Sequence, residues 1–469
     1  MSEKKSRQLS RREFLKLGGS GLATAAFISA CGGAQPTQAP APAAQATTAP
    51  AAAAPTTAPA AKPPAGPVEF LAWGDTTDGP AWEKLGPAYT AMSGVTVNIT
   101  PVADPNANFY TKLQTMFAGG TPPHLASFQG WEWQTYQDKG LLQEVDEWIA
   151  RDNATAAFPA GFTSVEQSTK RAGKTYLIPL QAGVMVMFYA KKIFDEAGVD
   201  YPKDDWTFDQ FVETAQKLTD AGKGTFGYQC NTNWFRDIGW IVGTGKREFD
   251  NIIDPTKAQF STPEIVDMIT TVAYDMPHTF KAAPSPADTS GANTINTGKV
   301  AMKYEGPWFL PQLNSQKLRD EQKEVPFDVV RMPVAAGVSG RPHRGWGEGV
   351  CVTKSDMAEA AWGFAAYLVS EEGNKMYSET TGRIPSNQDL AKSWWVPRTK
   401  ELYQIENGQA FLDAFKEGQI DVVSVKAPRS KMWSEVVKPN AWDAINNASA
   451  KPADVFPQVD EKLNALLSA

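Results

Sequence analysis

The chain is poor in the residues that build metal and nucleophile sites. Three cysteines and three histidines stand among 469 residues, and His124, His278 and His343 are scattered along the chain. None sits in an H-E-x-x-H pattern, and no Cys/His cluster has zinc-ligand spacing. There is no G-x-S-x-G elbow of the kind that exposes a catalytic serine. Gly173-Lys174-Thr175 looks like the end of a phosphate loop, but Ser168 stands five residues before Gly173, where that loop needs glycine. The residues therefore point to no catalytic centre, no metal and no cofactor. A carboxylate pair for glycoside hydrolysis leaves no local signature, so a surface glycan-active enzyme stays open as a reading.

Positive charge is also scarce. Lys and Arg number 45 against 52 Asp and Glu, for a net charge of −7. Residues 1–30 carry six basic and two acidic side chains, so the remainder stands near −11. This opposes nucleic-acid binding, which needs Lys and Arg against phosphate. A basic loop cluster would favour phosphate ligands, and the one short run is Arg341-Pro342-His343-Arg344.

Residues 32–67 lack aromatics altogether and carry a single charge, Lys62, among Ala, Pro, Thr and Gly. Such a segment buries too little apolar surface to fold. Its prolines stiffen it, and at ~3.1 Å per residue it reaches on the order of 110 Å when extended. Nor is there a membrane-spanning run at the start. The apolar stretch 17–30 has 14 residues, roughly 21 Å of helix against a hydrocarbon core of ~30 Å. Before it, Ser10-Arg11-Arg12-Glu13-Phe14-Leu15-Lys16 reads as a twin-arginine export signal. At its end Ile28-Ser29-Ala30-Cys31 resembles a lipobox. The expected organisation is a signal peptide over 1–30, a lipidated Cys31 with a tether over 31–67, and a folded body anchored outside the cell membrane. Cys230 and Cys351 then remain; they either pair or stay as two buried thiols.

The body from Val68 onward exceeds one core and is expected to form two lobes. Residues 68–72 and 95–99 read as strands around a helix over 80–92, a β-α-β unit of an α/β fold. Residues 125–128, 184–189, 299–305 and 348–353 read as further strands. Thr207 and Gln210 form a capping box before a helix whose apolar face holds Phe208, Phe211, Val212, Ala215 and Leu218. Ala361, Phe364, Ala365 and Leu368 line another helix. In such folds ligands sit at strand C-termini and between lobes.

Tryptophan is abundant: all 15 lie in the body. Trp82, Trp148, Trp362 and Trp442 fall on helical faces and are expected to pack. Trp73, Trp131, Trp133, Trp234, Trp308 and Trp346 fall in loops or beside glycine, where a rigid ring with a polar edge suits the C–H faces and hydroxyls of a sugar.

Four segments, in order, carry a family resemblance: "FAGGTPPHLASFQG", "GKTYLIPLQAGVMVMFYAKKIFDEAGVDYPKDDWTFDQFVETAQKLT", "TGKVAMKYEGPW" and "GWGEGVCVTKSDMAEAAWGFAAYLVSEEGNKMYSETTGRIPS". They resemble the group 1 extracellular solute-binding proteins, the carbohydrate-binding subunits of ABC importers, with His124 standing where the family usually has Asp. The resemblance implies a two-lobed periplasmic-binding-protein-like fold, each lobe a sheet flanked by helices. One lobe is expected over 68–178 with 345–382, the other over 179–344 with 383–469. It implies a monomer that captures a sugar or oligosaccharide by closing and hands it to a membrane permease. A polyol, a glycerophosphodiester or another non-sugar solute is the alternative. Trp308 is the implied stacking ring; Asp75 and Thr76 a polar pair after the first strand; Gln129, Trp131 and Glu132 a cluster after the G-x-x-P stretch. Gln181 lies at the crossover, Trp346 and Glu348 before the late strand, and Arg383 at the second return; Trp73, Trp234 and Glu305 complete the expected site.

Overall fold

The computed structural model describes residues 66–74, 77–103, 107–286 and 293–468. The signal peptide, Cys31 and the tether lie outside the described residues, as do Asp75 and Thr76.

Thirteen strands are described: β1 (Val68–Trp73), β2 (Val97–Val102), β3 (Leu125–Gln129), β4 (Lys170–Arg171), β5 (Lys174–Thr175), β6 (Leu177–Val184), β7 (Val186–Ala190), β8 (Phe226–Gln229), β9 (Val300–Glu305), β10 (Phe327–Val330), β11 (His343–Val352), β12 (Ile384–Pro385) and β13 (Gly418–Gln419). The first sheet has the order β12-β6-β11-β3-β1-β2, with β13 pairing the start of β11. The second has the order β10-β7-β9-β8. The opening β-α-β reading holds, since β1 pairs in parallel with both β2 and β3. The sheet is nonetheless mixed: β11 runs antiparallel to β3 and β6, and β12 antiparallel to β6.

The period-2 alternation of β1 explains why this sheet is covered on both faces. Val68, Phe70 and Ala72 enter one apolar cluster with Trp82, Leu85 and Trp362. Leu71 and Trp73 enter another with Phe109, Leu113 and Phe128. The second sheet is wrapped by a larger core containing Phe188, Tyr228, Trp240, Met302 and Trp442. Trp82, Trp362 and Trp442 are buried packing residues, and Trp148 stacks half-buried against Trp362. Cys230 and Cys351 are both buried and unpaired.

The capping box forms as expected: the Gln210 amide donates to Thr207 Oγ1 at 3.2 Å, and the Thr207 amide to Gln210 Oε1 at 2.8 Å. Two expected elements differ. The single strand over 184–189 is two strands broken at the fully buried Met185, because the chain leaves one sheet there and enters the other. The late strand begins at His343, earlier than its glycines suggest. Gly345, Gly347 and Gly349 alternate along β11 on a face crowded by neighbouring chain. A Cβ on Gly345 would lie 2.8 Å from Gly418 Cα, and one on Gly349 1.9 Å from the Ile178 carbonyl oxygen. These glycines admit close backbone approach rather than breaking the strand.

His124 is accommodated at the G-x-x-P turn without disturbing it. Its amide donates to the Glu69 carbonyl at 2.8 Å, and its Nδ1 accepts from the Glu69 amide at 2.9 Å.

Candidate functional site

A cavity of about 270 Å³ lies where the ends of the first sheet meet elements of the second, near the lower bound for small-molecule sites. Trp73 closes β1 and Gln129 closes β3, and both line it. β11 contributes Arg344, Trp346 and Glu348, which share one face because they are two residues apart. Asn233, Phe235 and Arg236 at the start of the helix Trp234–Gly243 also line it, together with Trp308 and Arg429. Asp78, Trp131 and Arg383 complete the lining.

Two tryptophans are positioned by glycine. Trp346 pairs across the strands with Gly183, and a Cβ there would lie 2.1 Å from the indole. Trp308 folds back over Gly306, where a Cβ would again lie 2.1 Å from the ring. Gly306 has φ −102° and ψ 175°, open to any residue, so its requirement is space. The Trp308 indole then donates to Glu305 Oε1 at 3.0 Å and lies 6.1 Å from Trp346 between ring centroids.

Polar groups are tied into buried networks. Arg383 grips Asp78 with Nε at 3.0 Å and Nη2 at 2.7 Å, and Tyr377 donates to the same carboxylate at 2.9 Å. Glu348 accepts from Gln181 and from the Trp346 indole, both at 2.8 Å, while Arg383 Nη1 donates to Gln181 Oε1 at 3.2 Å. Burial raises the Glu348 carboxyl above its ordinary range, with Arg383 opposing. Arg344 forms a fork on Asp421, with both contacts at 2.6 Å. Arg429 donates to the same Asp421. Burial alone would raise Asp421, and Arg344 and Arg429 outweigh it and hold it low. Arg236 pairs with Glu305 at 2.5 Å.

The structure gathers Trp73, Gln129, Trp131, Trp308, Trp346, Glu348 and Arg383 of the expected site. Gln181 and Glu305 stand directly behind the wall and orient Glu348 and Trp308. Glu132 is turned from the cavity: it accepts from the Ser430 amide at 3.2 Å and the Ser430 hydroxyl at 3.3 Å, and burial pushes its carboxyl up to about 7 against the pull of Arg429. Trp234 is a correction. It is fully buried between Phe249 and Phe260, because the helix it opens turns its neighbours Phe235 and Arg236 to the cavity instead. Trp133 is likewise core, its indole donating to the Ser168 carbonyl at 2.7 Å.

Asp78, Asn233, Phe235, Arg236, Arg344 and Arg429 were not anticipated. Arg344 was within reach: extending the late strand to residue 343 puts it on the face of Trp346 and Glu348. The N-T-N-W-F-R-D stretch signals a helix start, with Asn233 Oδ1 accepting from the Arg236 amide at 3.1 Å. No local pattern marks Arg429, which sits far along the chain from every other lining residue except Arg383.

Two sheets joined by crossing strands, with a polar and aromatic cavity walled by both, define a two-lobed binding protein. An ABC substrate-binding protein of Listeria monocytogenes solved with cycloalternan has the same fold, with TM-score 0.73 and 22% identity over 86% of this chain and 99% of that one. The chain belongs to the bacterial extracellular solute-binding protein family, whose profile matches residues 73–375. A binding protein of Brucella abortus is 24% identical over 403 residues, 83% of this chain and 90% of its own. The erythritol/L-threitol-binding protein of Mycolicibacterium smegmatis is 30% identical over 241 residues, 47% of each chain.

Proposed function

We propose that the protein captures a sugar or other polyhydroxylated solute in this cavity and delivers it to the membrane permease of an ABC importer. The observation that carries the reading is the pairing of Trp308 and Trp346 around the cavity, with Glu348, Asp78, Gln129 and the arginines beside them. Indole faces cover C–H surfaces, and planar carboxylate, amide and guanidinium groups pair with hydroxyls.

The lobes are assigned as 68–178 with 345–382 and 179–344 with 383–469. The strands β6 and β11 run across two of these boundaries and β12 begins just beyond the third; all three are paired in the first sheet and are assigned as the hinge. Open and closed arrangements exchange, and a solute touching both walls binds the closed one better and shifts the population toward it. The closed form is the one the permease recognises. The protein acts as a monomer, exported by the twin-arginine route and held at the outer face of the cell membrane by lipid on Cys31. Binding without catalysis is the activity assigned.

The cavity of about 270 Å³ also favours a second reading, in which the solute is a small polyol. The partial relative from Mycolicibacterium smegmatis is named for four-carbon polyols, whereas the Listeria protein was solved with a cyclic oligosaccharide. A melting-temperature screen of the folded protein against monosaccharides, short oligosaccharides and polyols separates these. A ligand at 100 times its Kd adds about 2.7 kcal/mol and raises the melting temperature. A rise with saccharides or polyols is the expected result. Hydrolysis of an oligosaccharide without any such rise would contradict the proposal.

A further inference from the structure

Glu132 stands just beyond β3 of the first sheet, in the lobe assigned to 68–178. Its carboxylate is met from the other lobe. The Ser430 amide donates to Oε1 at 3.2 Å and the Ser430 hydroxyl to Oε2 at 3.3 Å, and these are its hydrogen bonds among the described residues. Its neighbour Trp131 crosses the same boundary. The Arg429 guanidinium lies 3.9 Å from the Trp131 ring centroid and 4.2 Å from that of Phe235, so no solute enters between these faces. Ser430 is carried by chain anchored in the core of the second lobe, where Met432, Val436 and Val437 are buried.

Glu132 is 5% exposed. A buried carboxyl group is costly unless it is hydrogen-bonded. Here its partners arrive only when the lobes meet, and separating the lobes returns it to water. The contact therefore stabilises the closed arrangement with no solute present. A second pair crosses the boundary at the β4–β5 hairpin, where Arg171 Nη2 lies 3.1 Å from Asp254. The Asp254 side chain is 51% exposed, and ion pairs so open to water contribute little. The weight falls on Glu132.

Building on the two-lobe capture reading, we infer that Glu132 and the Arg429–Ser430 segment form a latch that populates the closed arrangement before solute arrives. Glu132 is then a positioning residue. It sets affinity through the closed fraction, because the apparent dissociation constant is the intrinsic one divided by that fraction. The latch also carries a proton. Burial pushes the Glu132 carboxyl up to about 7, with Arg429 and Ser430 opposing. The groups around it keep their charge near neutral pH. Burial brings Arg429 down only to about 10, Arg344 and Arg429 outweigh burial to hold Asp421 low, and burial keeps Tyr110 and Tyr136 neutral. With the lobes apart, Glu132 returns to its ordinary value of about 4.5. Its value is thus higher in the closed arrangement, so closing takes up a proton. Closure is favoured below pH 7 and loses that support as pH rises through 7, the closing constant falling about tenfold between pH 6 and 8.5.

Small-angle X-ray scattering of the whole chain, dialysed free of solute, tests this at pH 6 and pH 8.5. Wild type, Glu132→Gln and Glu132→Ala are compared, with melting curves to confirm folding; the leader contributes alike to every sample. Wild type is expected to have the smaller radius of gyration at pH 6 and the larger at pH 8.5. Glu132→Gln keeps an acceptor for Ser430 and cannot ionise, so it should stay compact at both. Glu132→Ala should be expanded at both. The wild-type and Glu132→Gln comparison stands even where Glu132→Ala fails to fold. An unchanged wild-type radius, or folded Glu132→Ala as compact as wild type at pH 6, overturns the latch and leaves solute capture intact. Glu132→Gln expanding with pH as wild type does overturns the role given to Glu132. Solute capture fails on a different result, the absence of any response in the saccharide and polyol screen.

Discussion

At the scale of single residues, the site depends on two glycines as much as on the tryptophans they admit. Trp308 lies against Gly306 and Trp346 against Gly183, each so close that a methyl group would sit 2.1 Å from the ring. Gly306→Ala must therefore swing the Trp308 indole away from Glu305 and out of the cavity wall. The expected result is a tenfold or greater loss of affinity with a small change in melting temperature, read by titration and calorimetry. Unchanged affinity would show that the Trp308 ring position is irrelevant. Gly183→Ala crowds a fully buried strand and should in addition lower stability by about 1–3 kcal/mol, in the range of overpacked cores. Trp308 and Trp346 were legible as aromatics beside glycine, whereas Glu348 and Arg383 were expected only through the family resemblance; all four line the cavity. The residue-level reading missed Arg429 and Asp78, whose places depend on chain returning from elsewhere. It misjudged Trp234, since a loop tryptophan at a helix start faces inward or outward according to one turn of helix.

At the scale of elements, β11 does most to build the site. Its G-W-G-E-G alternation gives backbone contact on one face and cavity-lining side chains on the other. Its beginning was hidden because glycine disfavours strands in isolation, and only a neighbouring sheet makes the arrangement stable. The α/β class, the β-α-β opening and the capping box at Thr207 were legible because periodicity and caps are local. The break at Met185 was not, because an apolar run reads alike whether it stays in one sheet or crosses between two. The first residue of β11 carries a pH dependence. His343 is 1% exposed; its Nδ1 donates to the Arg341 carbonyl at 2.7 Å, and its Nε2 accepts from the Met332 amide at 3.3 Å. This is a neutral imidazole, and burial lowers it to about 4. Because the folded value is below the unfolded value of about 6.5, its stabilisation is complete above pH 6.5 and lost as pH falls toward 4, by about 3 kcal/mol. Denaturant unfolding at pH 7.5 and 4.5 should show a smaller drop in His343→Gln than in wild type. Equal drops would contradict the assignment.

At the scale of the whole molecule, the proposal joins leader and body in one purpose. A lipid on Cys31 and the proline-rich stretch after it, as proposed, would keep a capture protein near its permease. Wild-type protein is expected in the membrane fraction and Cys31→Ala in the soluble fraction; wild-type protein found soluble in export-competent cells would remove the anchor. Arg11→Lys combined with Arg12→Lys should leave unprocessed precursor in the cytoplasm.

The most direct measurement of the central claim, solute capture at the Trp308 wall, is calorimetric titration of wild type and Trp308→Ala beside melting curves of the same samples. Trp308 is only partly buried and lines the cavity, so its loss should weaken binding by about 2 kcal/mol, roughly 30-fold. The melting temperature of the unliganded protein should stay within a few degrees, and Trp308→Phe should recover part of the affinity. Unchanged affinity with a collapsed melting temperature, the pattern of a core ring worth ~3–5 kcal/mol of stability, would contradict the account.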